Sequence, residues 1–160
     1  MINRKTAIIH IDAVRREFPG NYALAQKLSS HGYKVGLTSR ITTKIITQLT
    51  NVDILIVSHT FTYPESDLLK FIQKGVKIYV IDVEGHLGWE EAISVQYKQE
   101  TNLNIFSGIF VWNKWSKEWI INNREVNHKN VVVTGSVRTS LYNFIENNWN
   151  ISNVNYIEHN

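Results

Sequence analysis

The chain has 160 residues, 17 Lys and Arg against 14 Asp and Glu, 43% hydrophobic and 19% charged residues, and no Cys. That composition suits one folded domain with a sizeable core and excludes a disulfide scaffold, a thiol nucleophile and Cys-ligated zinc. The excess of +3 is too mild for a dedicated nucleic-acid binder, and no apolar run approaches the ~20 residues of a membrane span. The polar opening of the chain comes too early for a secretory signal, so a cytoplasmic protein is expected.

In chain order, Thr6–Ile11 is short and apolar between charged residues and reads as a buried strand. A loop with Arg15, Arg16, Pro19 and Gly20 follows. Tyr22, Leu24, Ala25 and Leu28 then recur at helical spacing up to Gly32. Tyr33–Leu37 is a second strand, and Arg40–Leu49 a second helix with Ile41, Ile45, Ile46 and Leu49 inward. Asp53–Ser58 is the strongest buried strand. Pro64 and Ser66 open a third helix carrying Leu68, Leu69, Phe71 and Ile72 as far as Gly75, and Val76–Ile81 is a fourth strand. Beyond it, Glu90–Lys98 reads as a helix, Ser107–Trp112 as a strand, and Lys114–Asn122 as a helix with Trp115 and Trp119. Val131–Thr134 is a sixth strand and Ser140–Asn147 a last helix.

Strand and helix alternate, and the strands are apolar on both faces. The pattern predicts an α/β fold with a doubly wound, mostly parallel, Rossmann-like sheet of about six strands. One domain over residues 1–146 with a polar tail over 147–160 is expected. There is no internal repeat.

Open parallel sheets bind ligands beyond the carboxyl ends of their strands. That edge collects His10, Asp12, Arg15, Arg16 and Glu17 after the first strand, and His59, Thr60 and Thr62 after the third. It also collects Asp82, Glu84, Gly85 and His86 after the fourth, Trp112 and Asn113 after the fifth, and Gly135, Ser136 and Arg138 after the sixth. Helix N-termini point the same way and favour anions.

Asp12, Asp82 and Glu84 are general-base candidates. The plain alternative for the two aspartates is helix capping or pairing with Arg15 and Arg16. His10 precedes the strand's end and reads as structural. His59 and His86 are better placed to bond a sugar or phosphate or to move a proton. No His spacing typical of a metal site occurs, so none is expected. Arg15 and Arg16 form either an anion clamp or a solvated pair. Trp112, Trp115 and Trp119 read as core, whereas Trp89 after Gly88 can stack on a sugar ring. The chain lacks G-x-G-x-x-G, the P-loop and the G-x-S-x-G elbow. A receiver-like sensor is disfavoured, because Asp12, Asp53 and Lys77 form no convincing acidic site.

Several segments carry a family resemblance. Arg15-Arg16-Glu17-Phe18, then Ala23-Leu24-Ala25-Gln26-Lys27-Leu28 and Gly32-Tyr33-Lys34-Val35, resemble the opening of bacterial surface-carbohydrate (polysaccharide) biosynthesis proteins. Asp82-Val83-Glu84-Gly85 resembles their D-x-E-G turn, and the segment from Val131 through Thr134-Gly135-Ser136-Val137-Arg138-Thr139 their V-T-G-N-P-R-x-D segment. Ser136-Val137 stands where the family has Asn-Pro, and no Asp follows Arg138. The similarity covers about residues 6–142.

The family in turn resembles GT-B glycosyltransferases, with two Rossmann-like domains around a cleft. The resemblance implies the acceptor-side half of such an enzyme, transferring sugar from a nucleotide-sugar to a saccharide hydroxyl. A second GT-B domain or partner chain would supply the donor side, at the inner face of the membrane if peripheral to it. It implies Glu84 or Asp12 as the base. Arg15, Arg16, Glu17, His59, Thr60, Gly85, His86, Trp89, Gly135, Ser136 and Arg138 would bind substrate, with no metal or cofactor beyond the donor. The alternative is a non-catalytic carbohydrate-binding or scaffolding module. Either reading requires Arg16, His59 and Glu84 to face one hollow.

Overall fold

A computed structural model describes residues 4–85 and 88–137; His86, Arg138, the expected helix at Ser140–Asn147 and the tail lie outside the described residues. Six strands form one all-parallel sheet: β1 (Thr6–His10), β2 (Lys34–Thr38), β3 (Ile54–Val57), β4 (Lys77–Ile81), β5 (Gly108–Val111) and β6 (Val131–Val133). Their order across the sheet is β2-β1-β3-β4-β5-β6. The connecting helices are α1 (Val14–Ser30), α2 (Arg40–Leu49), α3 (Glu65–Gln73), α4 (Glu90–Gln96) and α5 (Lys114–Asn123), with single 3₁₀ turns at Leu103–Ile105 and His128–Asn130.

The sheet separates two cores. Ile46 of α2, Leu68 and Phe71 of α3, Ile93 of α4 and Ile120 of α5 pack on one face, against Leu55, Val57, Ile78, Val80 and Ile109. On the other face α1 brings Leu24, Ala25 and Leu28 against Ile9, Ile56 and Ile81. Consecutive strand residues such as Leu55, Ile56 and Val57 are therefore all buried, which is why these strands read as unbroken apolar runs. The fold is the expected doubly wound α/β sheet. Its chain direction reverses between β1 and β3, where a crevice must open at the carboxyl ends.

Two expectations need correction. Helix α1 starts at Val14, so Arg15–Gly20 are helical and not a loop. Pro19 and Gly20 look like breakers, but the Glu17 carboxylate reaches back to the N–H groups of Asp12 and Ala13 (3.0 and 3.3 Å) and holds the first turn. In α2, Ile41 and Ile45 face outward, 74% and 49% exposed, while Thr43 and Thr47 are buried. Threonine is tolerated inside because each hydroxyl has a partner. Thr43 Oγ1 meets Ser39 O and Thr38 Oγ1, and Thr47 Oγ1 donates to Thr43 O. In α3, Leu69 likewise points outward. Trp115 and Trp119 pack against the main core, as expected.

Candidate functional site

The crevice edge is built mainly from the ends of β1, β3, β4 and β5. Continuing the β1–β3 register, Ile9 opposite Ile56, sets Asp12 beside His59 just past the strand ends. Strand alternation puts His10, Asp12, Val57 and His59 toward one face of the sheet. Glu17 comes over the edge from α1, and one ligand-type atom each from Asp12, Glu17 and His59 lies within 4.8 Å of the others.

Glu17 is the anchor of this edge. Its side chain has no exposure. Oε2 accepts from Asp12 N–H at 3.0 Å and Ser58 Oγ–H at 2.7 Å, and Oε1 accepts from Ala13 N–H at 3.3 Å and Arg16 Nη2 at 3.1 Å. Burial pushes its carboxyl up, but the Ser58 hydroxyl, the Asp12 N–H, Arg16 and the Ala13 N–H outweigh that and hold it below the ordinary 4.5. Both oxygens carry two donors each, so Glu17 is committed to joining α1 to β3.

Arg16 uses its other amino group on Glu84 Oε1, at 2.6 Å. The turn that presents Glu84 is set by Asp82, whose Oδ1 accepts from the N–H groups of Glu84 and Gly85 (2.8 and 3.3 Å). Asp82 is thus a turn former, neither the helix cap nor the arginine partner weighed as its plain alternative. Trp112 Nε1 donates to Asp82 O at 2.6 Å, and Asn113 Nδ2 donates to Gly85 O at 3.2 Å. Burial pushes the Tyr97 hydroxyl well up, with Asp82 adding to the rise, and that hydroxyl donates to Asp82 Oδ2 at 3.4 Å.

The contacts of His59 define its tautomer. Gln96 Nε2 donates to Ser58 O at 3.4 Å, which turns Gln96 Oε1 toward His59 Nδ1 at 2.7 Å. His59 Nδ1 must then carry the proton, leaving a lone pair on Nε2. Tyr63 OH lies 3.1 Å from His10 Nδ1, in hydrogen-bond contact, and 3.5 Å from Arg40 O. His10 Nε2 is buried and has no hydrogen-bond partner among the described residues. Burial pushes His10 below its ordinary 6.5, against the pull of the Asp12 and Glu17 carboxylates, so its ring is neutral at neutral pH.

An open cleft of about 540 Å³ lies beside this cluster, walled by His59, Phe61, Glu84, Trp89, Val95 and Gln96. Phe61 stacks on His59 (centroids 5.1 Å apart, planes at 9°). Phe61, Trp89 and Val95 are the apolar faces it offers to solvent. A larger hollow of about 680 Å³ opens at the opposite sheet edge, among Arg4, Lys5, Lys34, Lys74 and Asp53. Lysine there complements helix C-termini such as that of α3, capped by Lys74, and Asp53 is spent on the Thr6 N–H at 2.7 Å. We therefore place the candidate chemistry at the carboxyl edge.

Arg16, Glu84 and His59 do come together: the first two touch, and the last two share the cleft. Trp89 stands on its rim. Arg15 is exposed on α1. Thr60 is buried, its hydroxyl given to Gln96 O at 2.5 Å. Gly85 lies under Trp112. Ser136 is buried in a small crevice with Arg16, Glu17 and Trp112, and Gly135 precedes it at φ +77°. Phe61, Ser58 and Gln96 were not foreseen. Phe61, between His59-Thr60 and Thr62, had a signal in its position on the predicted edge; Gln96 sits inside a helix and had none.

Compared with family models, with curated proteins and with solved structures, the chain gives no match. Among the described residues, no helix is long and apolar enough to cross a membrane.

Proposed function

We propose that the chain is the acceptor-side domain of a GT-B-like glycosyltransferase of bacterial surface-polysaccharide biosynthesis. The observation that carries the reading is the cleft at the switch-point edge, which pairs aromatic faces with a carboxylate and an imidazole. Sugar rings have apolar C–H faces that lie on aromatic surfaces and hydroxyls that need polar partners at the rim. Phe61 and Trp89 offer the first; Glu84, His59 and Gln96 the second. The sequence resemblance, above all the D-x-E-G turn at Asp82–Gly85, supports the same reading.

Glu84 is the carboxylate in the cleft wall. Its Oε1 is held by Arg16, and Oε2 has no partner among the described residues. Oε2 is therefore the atom to take the proton of the acceptor hydroxyl as that oxygen attacks the anomeric carbon of a nucleotide-sugar, whose bond to the phosphate oxygen breaks and releases the nucleotide. Arg16 fixes the side chain and balances its charge. The donor comes from a second GT-B domain or a partner chain, and the assembly works at the cytoplasmic face of the membrane. Glu84 being already ion-paired favours one second reading, a module that binds saccharide without catalysis.

Two substitutions separate the readings. In the assembled transferase, Glu84→Gln is expected to lower turnover by about 10²-fold or more while saccharide affinity stays close to wild type. Trp89→Ala is expected to weaken saccharide binding about tenfold, near 1.4 kcal/mol, measured by calorimetry on the chain alone. Wild-type turnover in Glu84→Gln removes the catalytic role. Saccharide binding with no transfer under any donor leaves the binding module.

A further inference from the structure

A second hollow, of about 440 Å³, shares Phe61 as a wall with the aromatic cleft. Two cations line it, Arg40 at the start of α2 and Lys98 just past α4. Each is seated over an aromatic ring of the loop between β3 and α3. The Arg40 guanidinium carbon lies 5.9 Å from the centre of the Tyr63 ring, and Lys98 Nζ lies 5.8 Å from that of Phe61. Neither side chain forms an ion pair or hydrogen bond among the described residues. The ring contacts orient both groups but leave their N–H donors unmatched. Arg40 also stands at the helix end where the dipole disfavours a cation, and α2 has no acidic residue in its first turn to offset it. Two carboxylates share the lining, and both are in use. Glu65 stands in the first turn of α3, where the dipole favours it, and the charge of Glu100 supports the Arg124 guanidinium. Arg124 in turn donates to the carbonyls of Tyr97, Lys98, Gln99 and Thr101, which holds the loop that presents Lys98. The Thr101 hydroxyl, in the same lining, is a third donor without a partner among the described residues.

We propose that this hollow binds the phosphate or carboxylate group of an acidic saccharide whose sugar rings lie in the cleft that Phe61 also walls. Arg40 supplies a planar fork that matches two anionic oxygens, Lys98 a point charge and Thr101 a hydroxyl. A saccharide lying on Phe61 carries its anionic substituent past that ring to the two cations. Phe61 thus serves both hollows, as a platform for the sugar on one side and as the seat of Lys98 on the other. The proposal names the substrate class of the transferase reading and, for the saccharide, rests on it; the anion site itself does not.

The test is calorimetry of the full chain with a neutral oligosaccharide, with the same oligosaccharide carrying a phosphate monoester or a uronic acid, and with inorganic phosphate. The acidic forms are expected to bind about tenfold or more tighter than the neutral one, and the difference to shrink as salt is added. The tighter of the two acidic probes identifies the group. Arg40→Gln and Lys98→Gln change exposed side chains, and circular dichroism checks that both fold. Each should lower the acidic affinity about 5-fold to 10-fold and leave the neutral affinity unchanged. Equal affinity for acidic and neutral forms overturns the proposal, and so does a preference that both variants keep; in either case the cleft reading stands. If neither saccharide binds, the cleft reading falls, and inorganic phosphate decides for the hollow. Uptake lost in Arg40→Gln and Lys98→Gln retains the anion site, and no uptake removes it.

Discussion

Glu17→Gln is expected to cost about 3 kcal/mol of folding stability at neutral pH, seen as a fall in melting temperature of roughly 6–12 °C. The substitution keeps the volume but replaces one carboxylate oxygen with an NH₂ group. In the native structure each oxygen accepts two hydrogen bonds, from Asp12 N–H and Ser58 on one side and Ala13 N–H and Arg16 on the other. Whichever way the amide turns, a donor faces two donors, and Arg16 loses a buried counter-charge. The helix start suffers with it, because Ala13 caps α1 without a side-chain bond of its own. Ser58→Ala removes one of the four bonds and should cost about 1–2 kcal/mol. Equal stability of Glu17→Gln and wild type in urea would show that α1 does not hang on this carboxylate.

The same residue fixes a pH dependence. Its folded carboxyl lies below the ordinary 4.5, so the unfolded chain takes up a proton more readily than the folded one. The contribution of Glu17 is therefore fully present above about 4.5 and is lost as pH falls through the folded value. Wild type and Glu17→Gln should differ most at neutral pH and converge in acid. A gap that widens in acid would mean the carboxyl is raised and not lowered.

How much of this was legible beforehand follows from where the information lies. The alternation of strands and helices is written locally, as apolar runs bounded by turn residues, and every expected strand is present within a residue or two at each end. The carboxyl-edge rule then placed Arg16, His59 and Glu84 together without coordinates. What failed was local evidence overruled by distant partners. Pro19 and Gly20 read as breakers because the restoring bond, from Glu17 back to Asp12 and Ala13 and onward to Ser58, spans 41 residues at its longest. Ile41 and Ile45 looked inward because periodicity counts methyl groups, whereas the threonines inside α2 are satisfied by Thr38, Ser39 and Thr43 itself. Glu17, expected to bind substrate, is spent entirely on the fold. Gln96 orients His59 from a different helix, a relation that no spacing along the chain encodes.

Gly85→Ala is expected to destabilise the protein by about 3 kcal/mol and to disorganise the turn that presents Glu84. Two costs add. At φ +71° a side chain meets its own backbone, a penalty of about 1–2 kcal/mol. A Cβ there would also fall 2.1 Å from Cε3 of Trp112 and 2.5 Å from Cδ2 and Cζ3. That ring cannot simply retreat, since Nε1 is bonded to Asp82 O and the neighbouring Asn113 is bonded to Gly85 O. Forcing a methyl into such contact costs typically about 1–3 kcal/mol. Gly75→Ala separates the two contributions: its φ is +84°, yet nothing lies within 4 Å of the position. It should lose only the backbone part, about 1–2 kcal/mol. Chemical denaturation of both variants gives the difference, and near-ultraviolet circular dichroism of the tryptophans should change in Gly85→Ala alone. Equal losses in the two would mean that Trp112 yields freely. The tight seat of Glu84 on the β4–β5 edge would then be no source of its fixed position, and Arg16 alone would have to hold it.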